Sequence, residues 1–163
     1  MDELIVRLQT KEDAKGKGYV HYQSWLETYS DLIPSYYLNR HSLEKTIQIA
    51  YDHPENTWIA MIGDQVVGFS CFMMSRDEDL MDAGEIVAIY VLKAYQNQHI
   101  GEKLLMAALS SLRSYRIISL WVLSTNEQAI KFYEKHGFIK DGVTKIVMER
   151  QAVRMIKSTH DVS

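Results

Sequence analysis

Ile86-Val87-Ala88-Ile89-Tyr90-Val91-Leu92, followed shortly by Tyr95-Gln96-Asn97-Gln98-His99-Ile100-Gly101-Glu102-Lys103-Leu104-Leu105, is the stretch that decides the fold. The first run is strand-like and apolar. After the polar loop, Leu104, Leu105, Ala108, Leu109 and Leu112 recur at helical spacing from Ile100 onward. A strand therefore feeds an amphipathic helix through a polar turn. The first N–H groups of such a helix lack intrahelical partners and its dipole adds partial positive charge, so the turn suits a phosphate. Gly101 lets that backbone come close to a ligand. An ordinary strand-to-helix connection fits the same local pattern, and the turn alone does not choose between the two.

Working outward, strands and helices alternate along the chain. Leu4 to Leu8 reads as a strand and Lys11 to Tyr29 as a helix with Tyr22, Trp25, Leu26 and Tyr29 on one face. Pro34 interrupts. Ser42 suits the N-cap of a second helix carrying Leu43, Ile47, Ala50 and Tyr51, which ends before Pro54. Thr57 to Ile62 and Val66 to Met73 flank Gly63-Asp64, a pair fit for a tight hairpin turn. An acidic loop follows, with Asp77, Glu78, Asp79 and Asp82. Past the deciding stretch, Ile117 to Leu123 is a fifth strand, and Thr125-Asn126-Glu127-Gln128 caps a fourth helix ending at Gly137. Val143 to Glu149 and Ala152 to Ile156 read as a last pair of strands joined near Arg150. No repeat or linker is present, so the reading is one α/β domain over residues 1–163 with a mixed sheet.

Composition sets the physical class. The chain has 163 residues, 47% hydrophobic and 24% charged, ordinary usage for a globular domain with a full core. A net charge of −3 gives no bulk attraction to nucleic acid or to an anionic membrane, and neither is expected as a partner. The lone Cys71 lies in an apolar run and reads as a buried structural thiol in a reducing compartment. The start, Met1-Asp2-Glu3, has no basic region before an apolar one, and no stretch has spanning length. A cytoplasmic location is the expectation.

A second constellation lies downstream: Asn126-x-x-Ala129-x-x-Phe132-Tyr133-Glu134-Lys135-x-Gly137-Phe138. Together with Gln96-x-x-His99-x-Gly101, at matching order and separation, it resembles the GCN5-related N-acetyltransferase (GNAT) family, whose acyl-CoA loop lies between the fourth strand and the following helix. The resemblance extends over most of the chain. It implies a single-domain α+β fold: a mixed, mostly antiparallel sheet of about seven strands, splayed between the fourth and fifth, with about four helices. It also implies acetyl-CoA as co-substrate and no metal. In that family the pantetheine arm hydrogen-bonds the fourth strand, for which Ile89, Tyr90 and Val91 are the matching positions. The amides of Gln96, Asn97, Gln98, His99, Ile100, Gly101, Glu102 and Lys103 would surround the pyrophosphate. Asn126 matches a position that commonly contacts the cofactor, and it equally suits a helix cap. Asn97 and His99 stand where the family often has glycine; both tolerate unusual backbone angles, and the loop is expected to survive. Near neutral pH an imidazole there could add charge against phosphate.

The resemblance assigns the chemistry as well. Tyr133 matches the phenol that acts as general acid toward the CoA sulfur, although from spacing alone Phe132 and Tyr133 read as packing aromatics. Val91 N–H is the expected donor to the thioester carbonyl. Glu85 matches the strand-four glutamate that serves as general base in the histone-acetylating branch, and strand alternation is expected to put it on one face with Val87, Ile89 and Val91; a solvated or paired glutamate at a strand entrance fits as well. The acceptor that the resemblance implies is a primary amine of a small molecule, such as a polyamine or an amino acid derivative, or of a protein or peptide. The first two helices and the loop between them would supply Trp25, Tyr29, Tyr36 and Tyr37 as pocket walls, and the acidic loop could steer a cationic acceptor; helical spacing also reads Trp25 as core, and such a loop is usually only solvated. His21, His41, His53, His136 and His160 show no ligand-like spacing with one another or with Cys71. The opposing reading keeps the fold and gives up catalysis: an acyl-CoA-binding or regulatory module. The oligomeric state stays open, a homodimer included.

Overall fold

The computed structural model describes residues 2–159, so His160 lies outside the described residues. The chain runs β1 (Leu4–Leu8), α1 (Ala14–Tyr29), α2 (Ser35–Leu38), α3 (Leu43–Asp52), β2 (Thr57–Ile62), β3 (Gln65–Met74), β4 (Gly84–Val91), α4 (Ile100–Ser111), β5 (Ile117–Leu123), α5 (Glu127–Lys135), β6 (Ile139–Val147) and β7 (Arg150–Ser158). Side-chain caps start two helices as expected: Ser42 Oγ accepts from Lys45 N at 3.2 Å, and Asn126 Oδ1 from Ala129 N at 3.3 Å. The hairpin turn at Gly63-Asp64 is present, with Gly63 at φ +60°. Two details differ from the sequence reading. Pro34 opens a single helical turn, α2, which makes five α-helices among the described residues. Strand β6 begins at Ile139, and Met148 and Glu149, with φ of 50° and 61°, form the turn before Arg150.

The sheet has seven strands in the order β1-β2-β3-β4-β5-β7-β6, antiparallel throughout except for β4 and β5. That parallel pair is short: Gly84, Glu85 and Ile86 match Ile118, Ser119 and Leu120, and the pairing ends there. Residues Val87–Val91 therefore leave β5, and the sheet opens along its middle. One face is covered by α4 and α5, where Ile86, Leu105, Ile118, Leu120, Phe138 and Met155 are buried together. On the other, Val20 of α1 packs on Ile59 and Phe69. Closely packed α3 completes that layer: a Cβ on Gly18 would lie 2.6 Å from Ile47 Cα.

A β-bulge corrects one expectation. Cys71 pairs with Ala88 and Phe72 with Ile86, so Val87 is an extra residue on β4. The side-chain alternation shifts there by one. Ile86, Ile89 and Val91 face α4, whereas Glu85, Ala88 and Tyr90 face the α1 side. Glu85 thus stands opposite Ile89 and Val91, not beside them. Cys71 is half-buried, with its Sγ 3.4 Å from Thr57 Oγ1. Among the described residues no helix is long and apolar enough to cross a membrane.

Candidate active site

The gap between β4 and β5 is the floor of a cleft of about 690 Å³. Its walls are the α1 end at Glu27–Tyr29, the outward half of β4, the loop into α4, Trp121 and Val122 of β5, and Asn126, Phe132 and Tyr133 of α5. Of the expected cofactor positions, Ile89, Tyr90, Val91, Gln96, Asn97, His99, Ile100, Gly101, Glu102 and Asn126 line it. Gln98 and Lys103 belong to the same turn without lining the cleft.

The backbone of the turn explains its residues. Asn97 and His99 adopt φ of 66° and 63°, the left-handed region in which glycine is unstrained and Asn and His are the better-tolerated alternatives. His99 is the N-cap of α4, and its Nδ1 lies 3.5 Å from Glu102 Oε2. Gln96 reaches back to donate from Nε2 to the Val91 carbonyl at 3.1 Å. That bond ties the turn to the end of β4. The nearest atoms to a Cβ on Gly101 would belong to Phe132 and Val91, at 3.8 and 3.9 Å, ordinary contact distances.

Tyr133 is part-buried in the cleft, edge-on to Phe132 and Phe138 at ring separations of 5.3 and 5.8 Å. Among the described residues its hydroxyl has no hydrogen-bond partner. Burial, with Tyr29 nearby, pushes the phenol well above the ordinary tyrosine range and keeps it protonated. On the α1 side, Tyr90 donates to Tyr29 across 3.3 Å, and burial raises both phenols.

Glu85 lies outside the cleft lining. Its side chain is 3% exposed, and Arg76 holds both oxygens: Oε2 at 2.6 Å from Nη2, and Oε1 at 3.1 Å from the backbone N–H. Trp25, Tyr29 and Tyr37 gather around Ile33, Leu123 and Ala152 together with Trp121, Val147 and Met148, and of these three only Tyr29 lines the cleft itself. Tyr36 is 60% exposed beside Arg40. Two carboxylates of the acidic loop are tied down: Arg154, 4% exposed, binds Asp79 at 2.7 and 2.8 Å and Asp77 at 3.4 Å, along with Asp141 of β6 at 2.7 Å, while Glu78 and Asp82 are exposed. Trp121, Arg154 and Lys145 went unread in the sequence. The only signal was a tryptophan placed within an otherwise aliphatic strand. Among the described residues, no group of three or more His, Cys, Asp or Glu side chains could hold a metal ion.

A sheet parted between a parallel pair, with an N-terminal helix turn facing the gap and a tyrosine across it, defines an acyltransferase-type architecture, and the comparisons agree. The chain belongs to the acetyltransferase (GNAT) family, whose sequence model matches residues 22–138. It is 32% identical over 146 residues to the uncharacterized N-acetyltransferase YuaI of Bacillus subtilis, covering 82% of this chain and 79% of that protein. The crystal structure of PH1933 from Pyrococcus horikoshii superposes with a TM-score of 0.74 at 29% identity, over 96% of this chain and 98% of that one. PaiA N-acetyltransferase from Thermoplasma acidophilum, solved in complex with coenzyme A, shares the fold with a TM-score of 0.74 at 20% identity, over 96% and 99% of the two chains.

Proposed function

We propose that the protein transfers an acetyl group from acetyl-CoA to a primary amine by direct attack within a ternary complex. The observation that carries this reading is the cleft itself, in which an unpaired β4 edge, the turn at Gln96–Lys103 and the unpartnered Tyr133 hydroxyl meet. The amides of the turn and the dipole of α4 suit the pyrophosphate, and the free edge of β4 suits the amide-bearing pantetheine arm. Asn126 serves as helix cap while facing the same space. The amine nitrogen attacks the thioester carbon, the C–S bond breaks, and Tyr133 gives its proton to the departing thiolate. Val91 N–H is the assigned donor to the carbonyl oxygen as charge develops on it. Glu85 is assigned the base role through water only, because Arg76 holds its oxygens. Cys71 lies outside the cleft lining, in keeping with a mechanism without a covalent enzyme intermediate.

The test is CoA release from acetyl-CoA across a panel of amines. Tyr133→Phe should lower kcat by roughly a hundredfold or more while leaving acetyl-CoA affinity within a few-fold. An unchanged kcat removes Tyr133 as the acid. Absence of acetyl-CoA binding in calorimetry at millimolar concentration would turn the protein into a fold relative without this activity.

A further inference from the structure

On the α1 side of the sheet, Lys145 sits on an aromatic ring and makes no ion pair among the described residues. Lys145 of β6 is level with Ala152 of β7 and Leu123 of β5, and its Nζ lies 4.1 Å from the centroid of the Trp121 ring. Trp121 lines the cleft and belongs to the aromatic group with Trp25, Tyr29 and Tyr37. Its indole N–H donates to Asp77 at 3.0 Å, which fixes the ring, and Arg154 lies beside it at 5.9 Å. An indole face is the strongest aromatic partner for an ammonium group. Here the protein's own ammonium occupies it.

Four of the carboxylates around this face are held in ion pairs. Asp77, Asp79 and Asp141 bind Arg154, and Glu85 binds Arg76. Glu27, at the cleft wall, accepts from Lys93 N at 3.1 Å and from Gln23 at 3.4 Å. Glu149 stands at the outer rim beside Tyr37. Lys145 offsets part of the excess of three aspartates over one arginine. A second positive charge brought beside Lys145 would meet its like charge at close range.

We propose that the acceptor is a primary amine carried on an apolar or aromatic body with no second positive charge, and that Lys145 seated on Trp121 is the specificity-determining residue that turns polyamines away. This rests on the acetyltransferase reading above and names its substrate class. Trp121 and Tyr29, the members of that aromatic group that line the cleft, supply contact for the apolar body, and the lysine beside them excludes the competitor by charge.

The experiment compares CoA release with 2-phenylethylamine and isopentylamine against putrescine and spermidine, in the wild type, Lys145→Glu and Lys145→Met, with acetyl-CoA binding measured in parallel. In the wild type, kcat/KM should favour the apolar amines at least tenfold. Lys145→Glu should narrow that ratio at least tenfold by raising the polyamine values, with Lys145→Met in between. Acetyl-CoA affinity and melting temperature should hold in both variants, because Lys145 is exposed. Spermidine used as well as the apolar amines, a ratio unmoved by Lys145→Glu, or no release with either apolar amine would each overturn the inference while acetyl-CoA binding keeps the underlying reading standing. No acetyl-CoA binding would overturn both.

Discussion

Gly101 is small without close packing to account for it. A Cβ there would make only ordinary contacts with Phe132 and Val91, whereas one on Gly18 would collide with the Ile47 backbone. The nearest neighbours of that Cβ leave room for alanine at 101. Gly101→Ala should therefore leave the melting temperature unchanged or raise it slightly, since alanine favours a helix by up to about 1 kcal/mol over glycine. Acetyl-CoA affinity should fall by tenfold or more, because the added methyl lies near Phe132 and Val91, which line the cleft assigned to the cofactor. Scanning calorimetry and isothermal titration separate the two effects; unchanged affinity would mean that the phosphate does not sit at this turn. At this scale the sequence was legible where backbone chemistry is local. Asn97 and His99 were readable as tolerable replacements for glycine, and both adopt the left-handed conformation. The partners of Trp121 were not readable, because Asp77 lies 44 positions away along the chain.

Elements were legible where one face is buried and the period is clean. Strands β1, β2 and β5 and the caps of α3 and α5 follow from apolar runs and capping residues. Strand β6 was read only in part. It is an edge strand, exposed along most of its length, and its register shifts between Lys140 and Thr144 beside Gly142 at φ +89°. No alternation marks such a strand. The bulge in β4 was equally hidden, since an extra valine in an apolar run looks like any other strand residue. Its consequence is chemical: Glu85 faces the α1 side and meets Arg76. If Glu85 still draws the proton from the amine through water, Glu85→Gln should depress kcat/KM on the acidic limb of the pH profile and leave the alkaline plateau nearer to wild type. A limb that keeps its position would place the proton transfer with solvent and leave Glu85 as the anchor of Arg76.

The whole molecule buries nitrogen bases between α1 and the sheet, and this sets its response to acid. Lys17 is 4% exposed with its Nζ 4.4 Å from the Phe69 ring centroid, His21 lies edge-on to the same ring, and His41 stacks on Trp25 at 4.2 Å. Burial, reinforced by Lys17 and His41, pulls the His21 imidazole down to about 4, and burial lowers His41 as well. An unfolded histidine titrates near 6.5. Both groups are thus depressed in the native state, so their contribution is complete above pH 6.5 and is lost as pH falls from there through the native values. For His21 the full difference amounts to about 3 kcal/mol as an upper bound, of which about 2 kcal/mol is gone by pH 5. A protein of this size should then lose about 4–8 °C of melting temperature between pH 7 and pH 5 on account of His21 alone. His21→Phe, which keeps an aromatic edge against Phe69, should flatten that slope measurably in scanning calorimetry. A variant whose melting temperature falls with pH in parallel with the wild type would show that His21 takes up its proton as readily in the folded chain as in the unfolded one.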